Sequence, residues 1–223
     1  MTARKLALLL ALTPVGCGDI LYDQNQRRLI LEPVERVVFD VDSGGVEVYA
    51  FDRHAVSILF YFRGAESQIE DVEAVLDGDE IDAFIHCVPD PTQCAADFYA
   101  EVPLGTAITS TTLAGDFMLT GVDADVTATV AGAVDGFDLR VPNLELDVVG
   151  GPVTLEFLDP PTSARIDLDA GDVALTLPAG AYRCDLDAGD GDVTITGVTC
   201  DDAATSSLAI TVGTGNITLQ AAP

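Results

Sequence analysis

The chain has 223 residues, with 37 acidic against 10 basic side chains and a net charge of −27. That charge excludes nucleic-acid binding, because such a surface cannot make the cationic contacts a phosphate backbone requires, and it repels anionic head groups. The length gives room for one sizeable domain. The acidity is read as solubility plus aspartate in turns, with a saline habitat or divalent-cation binding as the sharper alternative.

Met1-Thr2-Ala3-Arg4-Lys5 is basic and Leu6 to Leu12 is apolar, which predicts an export signal too short to span a bilayer. Pro14-Val15-Gly16-Cys17 follows and resembles the bacterial lipoprotein box, with Pro14 departing from the usual leucine-like residue. The resemblance implies cleavage after residue 16 and lipidation of Cys17. Gly18 then lacks the aspartate that holds enteric lipoproteins at the inner membrane, so the expected place is the outer membrane, with the domain facing the periplasm or the surface. Losing residues 1–16 removes Arg4 and Lys5, leaving eight basic against 37 acidic side chains and a net charge of −29. Elsewhere no apolar run reaches the roughly 18 residues of a membrane span, so attachment rests on Cys17.

The organisation expected is a signal over 1–16, a tether over 17–29, an N-terminal β-rich part with a cysteine loop over 30–104, and a strand-repeat region over 105–223. Val37 to Asp42 and Val46 to Tyr49 alternate as strands around a Ser43-Gly44-Gly45 turn, and Ser57 to Phe62 is a further strand. Ser67 and Glu70 form a candidate capping box, with Ile69, Val72, Val75 and Leu76 at helical spacing, which predicts a short helix. With Cys17 set aside, Cys87, Cys94, Cys184 and Cys200 are an even set in an exported chain. Three pairings are formally open, and proximity favours Cys87 with Cys94 and Cys184 with Cys200. No CxxC occurs and His54 and His86 are the only histidines, so disulfides are expected rather than a metal site.

Glycine corners recur at Gly115-Asp116-Phe117, Gly151-Pro152-Val153, Gly171-Asp172-Val173, Gly191-Asp192-Val193 and Gly215-Asn216-Ile217. The 36-residue step from Gly115 to Gly151 accommodates two shorter turns with a corner near Gly132 to Gly136. Ile166-Asp167-Leu168-Asp169-Ala170-Gly171-Asp172 returns 18 residues later as Cys184-Asp185-Leu186-Asp187-Ala188-Gly189-Asp190. Alternation puts Ile166, Leu168, Val173, Leu175 and Leu177 inward and the aspartates outward, and in the next repeat it puts Cys184, Leu186, Val193 and Ile195 inward. The strand before the corner aligns at 18 and the strand after it at 20, which predicts a two-residue insertion within Gly189 to Asp192. Self-similarity near 20 residues predicts an all-β, right-handed parallel β-solenoid with coils of about 18–24 residues. An antiparallel β-sandwich is the alternative.

Direct stacking of the repeats would set Asp185 beside Asp167 and Asp187 beside Asp169. Like charges ~5 Å apart cost about 0.8 kcal/mol in bulk water, which is tolerable. Arg165 and Arg183 share that outward face and are read as charge balance. The run Asp185 to Asp192 misses the EF-hand order and lacks the double glycine of calcium-binding nonapeptides, so it reads as a solvated turn. No serine elbow, histidine cluster or phosphate loop occurs, and Gly213-Thr214-Gly215-Asn216 is a corner.

Gly44-Gly45-Val46-Glu47-Val48, Glu101-Val102-Pro103-Leu104 and the serial Gly-Asp-Val corners ending in Leu175-Thr176-Leu177-Pro178 resemble the bacterial "putative-adhesin" family of β-strand-repeat domains of unknown function, over roughly 35–220. The resemblance implies an exported or membrane-tethered β-helical protein with no catalytic residues to carry over. The expectation is a non-enzymatic envelope protein without cofactor or catalytic residues, presenting a rigid acidic face for adhesion or envelope assembly. Its partners would be the membrane, through the lipid, and a surface glycan or envelope protein. The alternative is a calcium-dependent carbohydrate-binding or carbohydrate-cleaving β-helix.

Overall fold

A computed structural model describes residues 21–30, 33–65, 69–88 and 94–223. The export signal and Cys17 lie outside the described residues. In chain order the strands begin with β1 (Leu21–Ile30), β2 (Arg36–Val41), β3 (Val46–Phe51), β4 (Val56–Ala65), β5 (Ile69–Asp77), β6 (Glu80–Cys87) and β7 (Ala95–Pro103). They continue through β8 (Ala107–Thr112), β9 (Phe117–Thr120), β10 (Val126–Val130), β11 (Val134–Leu139), β12 (Asn143–Val148), β13 (Val153–Phe157), β14 (Ser163–Ala170) and β15 (Val173–Leu177). The last are β16 (Ala181–Asp187), β17 (Val193–Thr196), β18 (Thr199–Cys200), β19 (Ser207–Thr214) and β20 (Ile217–Ala221).

These strands form two ten-stranded sheets, ordered β1-β4-β7-β3-β9-β11-β13-β15-β20-β17 and β18-β16-β19-β14-β12-β10-β8-β2-β6-β5. Pairing is parallel except for β1 with β4, β4 with β7 and the β5–β6 hairpin, all at the N-terminal end. From β8 to β15 the chain alternates between the sheets, one strand in each per circuit. Period-two alternation makes this work: Leu144, Leu146 and Val148 of β12 and Val153, Leu155 and Phe157 of β13 all point inward and are buried. A single apolar cluster draws on both sheets. Phe98 of β7 meets Phe39 of the opposite sheet edge-to-face at 6.1 Å and Phe60 at 5.5 Å. Because β2 pairs with β8 and β3 with β9, this core runs unbroken across the 104/105 boundary drawn from the sequence.

Two segments differ from expectation. Residues 21–29, read as tether, lie in β1, where antiparallel pairing with β4 supplies the backbone hydrogen bonds whatever the side-chain pattern. The segment read as a helix is β5. Its Val72, Ala74 and Leu76 pack inward at period two, and Gly78-Asp79, with Gly78 at φ +67°, closes a two-residue hairpin onto β6. Apolar residues at both spacings made the two readings coincide, and the glycine turn separates them.

The repeat region is also ordered differently from its sequence. The circuit β19–β20 inserts between β14–β15 and β16–β17, so the two DLDAGD copies are not on neighbouring strands. Ile166 is level with Ile210 and then Leu186, and Val173 with Ile217 and then Val193, so both strands step by 20 and the expected insertion at Gly189–Asp192 is absent. The 18-residue match is offset by two, which preserves inward and outward faces and therefore leaves no trace in the alternation. Asp167 sits level with Thr211 and Asp185 with Ala209. The expected Asp167–Asp185 contact does not form, and Asp187, level with Asp167, is two strand spacings or about 10 Å away. The circuits Phe117–Val134–Val153 do bridge the 36-residue gap as two shorter turns, with the corner at Gly132.

The corners stack closely. A Cβ on Gly115 would overlap the Gly44 carbonyl oxygen, one on Gly132 that of Gly115, one on Gly171 that of Gly151, and one on Gly215 that of Gly171. Glycine is therefore set by the approach of neighbouring backbones, and at Gly171 (φ +144°) also by the backbone conformation.

Candidate functional site

The corner aspartates bond to the next circuit. Asp97 Oδ1 accepts from the Gly45 N–H (3.0 Å), Asp116 Oδ1 from the Ala133 N–H (2.8 Å), and Asp172 Oδ1 from both the N–H and Nδ2 of Asn216 (2.8 and 3.0 Å). Asn216 Oδ1 in turn accepts from the Asp192 N–H at 3.0 Å. At Gly115-Asp116 and Gly171-Asp172 the glycine permits close approach and the aspartate satisfies a backbone donor of the neighbouring circuit, a task that Asp97, which follows Ala96, performs for the Gly45 N–H. In the run that resembles a calcium loop, Asp187 Oδ1 accepts from the Gly189 N–H (3.0 Å), an ordinary Asx turn. Among the described residues, no three His, Cys, Asp or Glu converge to hold a metal ion.

The remaining sequence candidates are dispersed. Cys87 is bonded to Cys94 (Cα–Cα 5.6 Å) and Cys184 to Cys200 (5.5 Å), the second tying β16 to the short β18 at the C-terminal end. Arg165 pairs with Asp167, as charge balance requires, whereas Arg183 has no carboxylate within 4.0 Å among the described residues. His86 of β6 contacts Asp40 at 3.3 Å, while His54 lies in the β3–β4 loop of the other sheet.

A different cluster stands out on the outer face of the first sheet. Inward packing of Ile58 and Phe60, of Phe98 and Ala100, and of Val46 and Val48 turns their neighbours outward on adjacent strands β4, β7 and β3. Register then aligns two rows across the strands: Leu59–Tyr99–Glu47–Met118–Asp135 and Ser57–Glu101–Tyr49–Thr120. Tyr61, one step along β4, meets Tyr99 edge-to-face, with centroids 5.7 Å apart and planes at 88°. A depression of about 530 Å³ lies among Tyr49, Ser57, Leu59, Tyr61, Tyr99 and Glu101. A second, of about 540 Å³, continues from Tyr99 and Glu47 past Arg63 and Asp97 to Asp116 and Asp135. The two meet at Tyr99, with the three tyrosines lining the first and Glu47 the second, and their linings span five strands, about 19 Å at the ~4.8 Å strand spacing, here called the trough.

The trough is both aromatic and acidic. Tyr49 donates its hydroxyl to Glu47 (2.7 Å). Burial, then that hydrogen bond and the Glu47 charge, push the Tyr49 phenol up to about 12. Tyr99 is raised by burial and by the charges of Glu47 and Asp97, with Arg63 opposing. At the margins Arg63 pairs with Asp97 (2.9 Å), and Arg53 with Glu101 (2.6 Å) while lying 4.7 Å over the Phe51 ring. Sequence reasoning assigned Tyr49 and Tyr61 to strands and passed over the cluster. The readable signal was tyrosine at outward-facing strand positions in a chain with five tyrosines and no tryptophan.

Fold and surface define an all-β protein of two mostly parallel sheets, stapled by two disulfides and carrying an aromatic, acidic trough near its N-terminal end. No protein-family model and no curated protein matches the chain. It is similar to the solved structure of a "putative cell adhesion protein" from Clostridium sporogenes, 10% identical, covering 90% of this chain and 100% of that one at a TM-score of 0.49. It is also similar to a "putative adhesin" from Bacteroides fragilis, 9% identical with 89% and 97% covered at 0.35. A "putative lipid binding protein" from Parabacteroides distasonis is 11% identical, with 89% and 97% covered at 0.32.

Proposed function

We propose that this is an exported, lipid-anchored, non-enzymatic envelope protein in which a right-handed β-solenoid presents the tyrosine trough as an adhesive contact surface. The observation that carries the reading is the convergence of Tyr49, Tyr61 and Tyr99 with Glu47 on one outer face, where nothing in the packing of the core requires aromatic rings. Amphipathic rings at an exposed face give large contact area at small entropic cost, which is what a binding surface needs. The non-enzymatic part is supported by the corner carboxylates, which have a structural task as acceptors of neighbouring N–H groups. The anchoring part is supported by the lipoprotein-like Pro14-Val15-Gly16-Cys17, and the outer-membrane part by Gly18, which stands where an inner-membrane-retaining aspartate would be.

The test is an array of neutral, amino-substituted and trimethylammonium-substituted glycans, probed with the full-length protein with and without calcium, beside a Tyr61→Leu/Tyr99→Leu variant. Binding that the double variant loses, without product formation, is the expected result. Selective binding with product release overturns the non-enzymatic reading, and binding that the variant retains removes the trough from it.

A further inference from the structure

We infer that the trough binds an organic ammonium cation, a quaternary or methylated amine, seated against the tyrosine rings with Glu47 as its counter-charge. The inference rests on the trough being the contact surface and adds the chemical class of its ligand. Three observations carry it.

The first is the arrangement of rings. Tyr61 and Tyr99 are in edge-to-face contact with their planes at 88°, so that their free faces look in different directions rather than forming a flat platform, and Tyr49 is one strand further along the sheet. Rings at right angles present faces to a compact cation from different sides, the geometry by which aromatic groups hold quaternary ammonium ions. A flat row of rings would instead favour stacking on a planar or extended ligand.

The second is the state of the carboxylates. Glu101 and Asp97 are each matched by an arginine, Arg53 and Arg63. Glu47, half-buried between Tyr99 and Met118 in register, accepts the Tyr49 hydroxyl and forms no ion pair among the described residues. A half-buried carboxylate beside aromatic rings favours a cation that is weakly hydrated and cheap to desolvate, which a methylated ammonium is and a small metal ion is not.

The third is that the same face already holds a cation in this way. The Arg53 guanidinium lies over Phe51 at 4.7 Å and pairs with Glu101 at 2.6 Å, an intramolecular example of ring plus carboxylate around an organic cation. The chain's net charge of −27 further concentrates cations at the surface and disfavours anionic ligands.

The chemistry could reside in a choline head group or in a methylated lysine side chain, and soluble probes separate the two. The full-length protein is titrated with choline, Nε-trimethyllysine and 3,3-dimethyl-1-butanol, the uncharged carbon isostere of choline, following tyrosine fluorescence, which no tryptophan obscures in this chain. Choline or trimethyllysine should bind about five- to thirtyfold more tightly than the isostere. Glu47→Gln should narrow that ratio, and Tyr61→Leu should weaken the cation, with thermal unfolding confirming that each variant is folded. The stronger of the two cations identifies the source. Equal binding of choline and its isostere, or no binding of either cation, overturns the inference. If neutral glycans then bind in a Tyr61- and Tyr99-dependent manner, the trough stands and only its ligand class falls. If nothing binds, both fall.

Discussion

Replacing Gly171 by alanine tests the stacked-corner account directly. Gly171 combines φ +144° with a site where a Cβ would lie 2.8 Å from the Gly151 carbonyl carbon and closer still to its oxygen. The two costs can be measured separately at other corners. Gly105 has φ +83° and nothing within 4 Å of a Cβ, so Gly105→Ala reports backbone strain alone, about 1–2 kcal/mol. Gly132 has no positive φ, but a Cβ there would lie 2.7 Å from the Gly115 carbonyl carbon, so Gly132→Ala reports the clash, about 1–3 kcal/mol. Gly171→Ala should therefore cost about 2–5 kcal/mol, a large part of the ~5–15 kcal/mol that holds a domain together. Urea unfolding followed by far-UV circular dichroism gives each value. The reasoning is refuted if Gly171→Ala lies within about 0.5 kcal/mol of the parent, or if Gly105→Ala costs as much as Gly171→Ala.

Spectrophotometric titration of the tyrosines should show one phenol ionising near pH 12, and Glu47→Gln should bring it down towards the ordinary range by removing the charge and weakening the acceptor. Because the folded-state value of Tyr49 is raised, its contribution to stability is complete below the unfolded value of about 10 and is lost as pH rises towards 12. Unfolding curves of the parent should therefore lose stability across that window more steeply than those of Tyr49→Phe. At the corner, Asp172→Ala should cost about 1 kcal/mol through the Asn216 N–H, while Asp172→Asn, which keeps an acceptor, should cost less. An equal loss in both variants, read from urea midpoints, would show that charge rather than the hydrogen bond matters there.

How far the sequence could be read depended on the range of the interaction. Inward placement of Ile166, Leu168, Val173 and Leu175 follows from alternation, a property of two residues at a time, and the structure buries all four, whereas Val193 and Ile195, read inward in the same way, are exposed because β17 is the terminal strand of its sheet. The disulfide partners are 7 and 16 residues apart, near enough for proximity to favour them. Strand against helix at Ile69–Asp77 turned on a two-residue turn that was readable but outweighed by a capping pattern.

The sequence by itself determined the repeat strands, the faces of those inside the sheets and the glycine corners, because these arise from local sterics and period-two burial, but it did not determine β1 or β5. Tertiary structure alone decided which circuit lies beside which. An 18- and a 20-residue step have the same parity, so burial cannot distinguish them, and nothing local announces that β19–β20 inserts between β14–β15 and β16–β17. The trough has the same origin: Glu47 and Tyr61 lie on the consecutive strands β3 and β4, and only the insertion of the distant β7 between them, in the order β4-β7-β3, brings Tyr99 beside both.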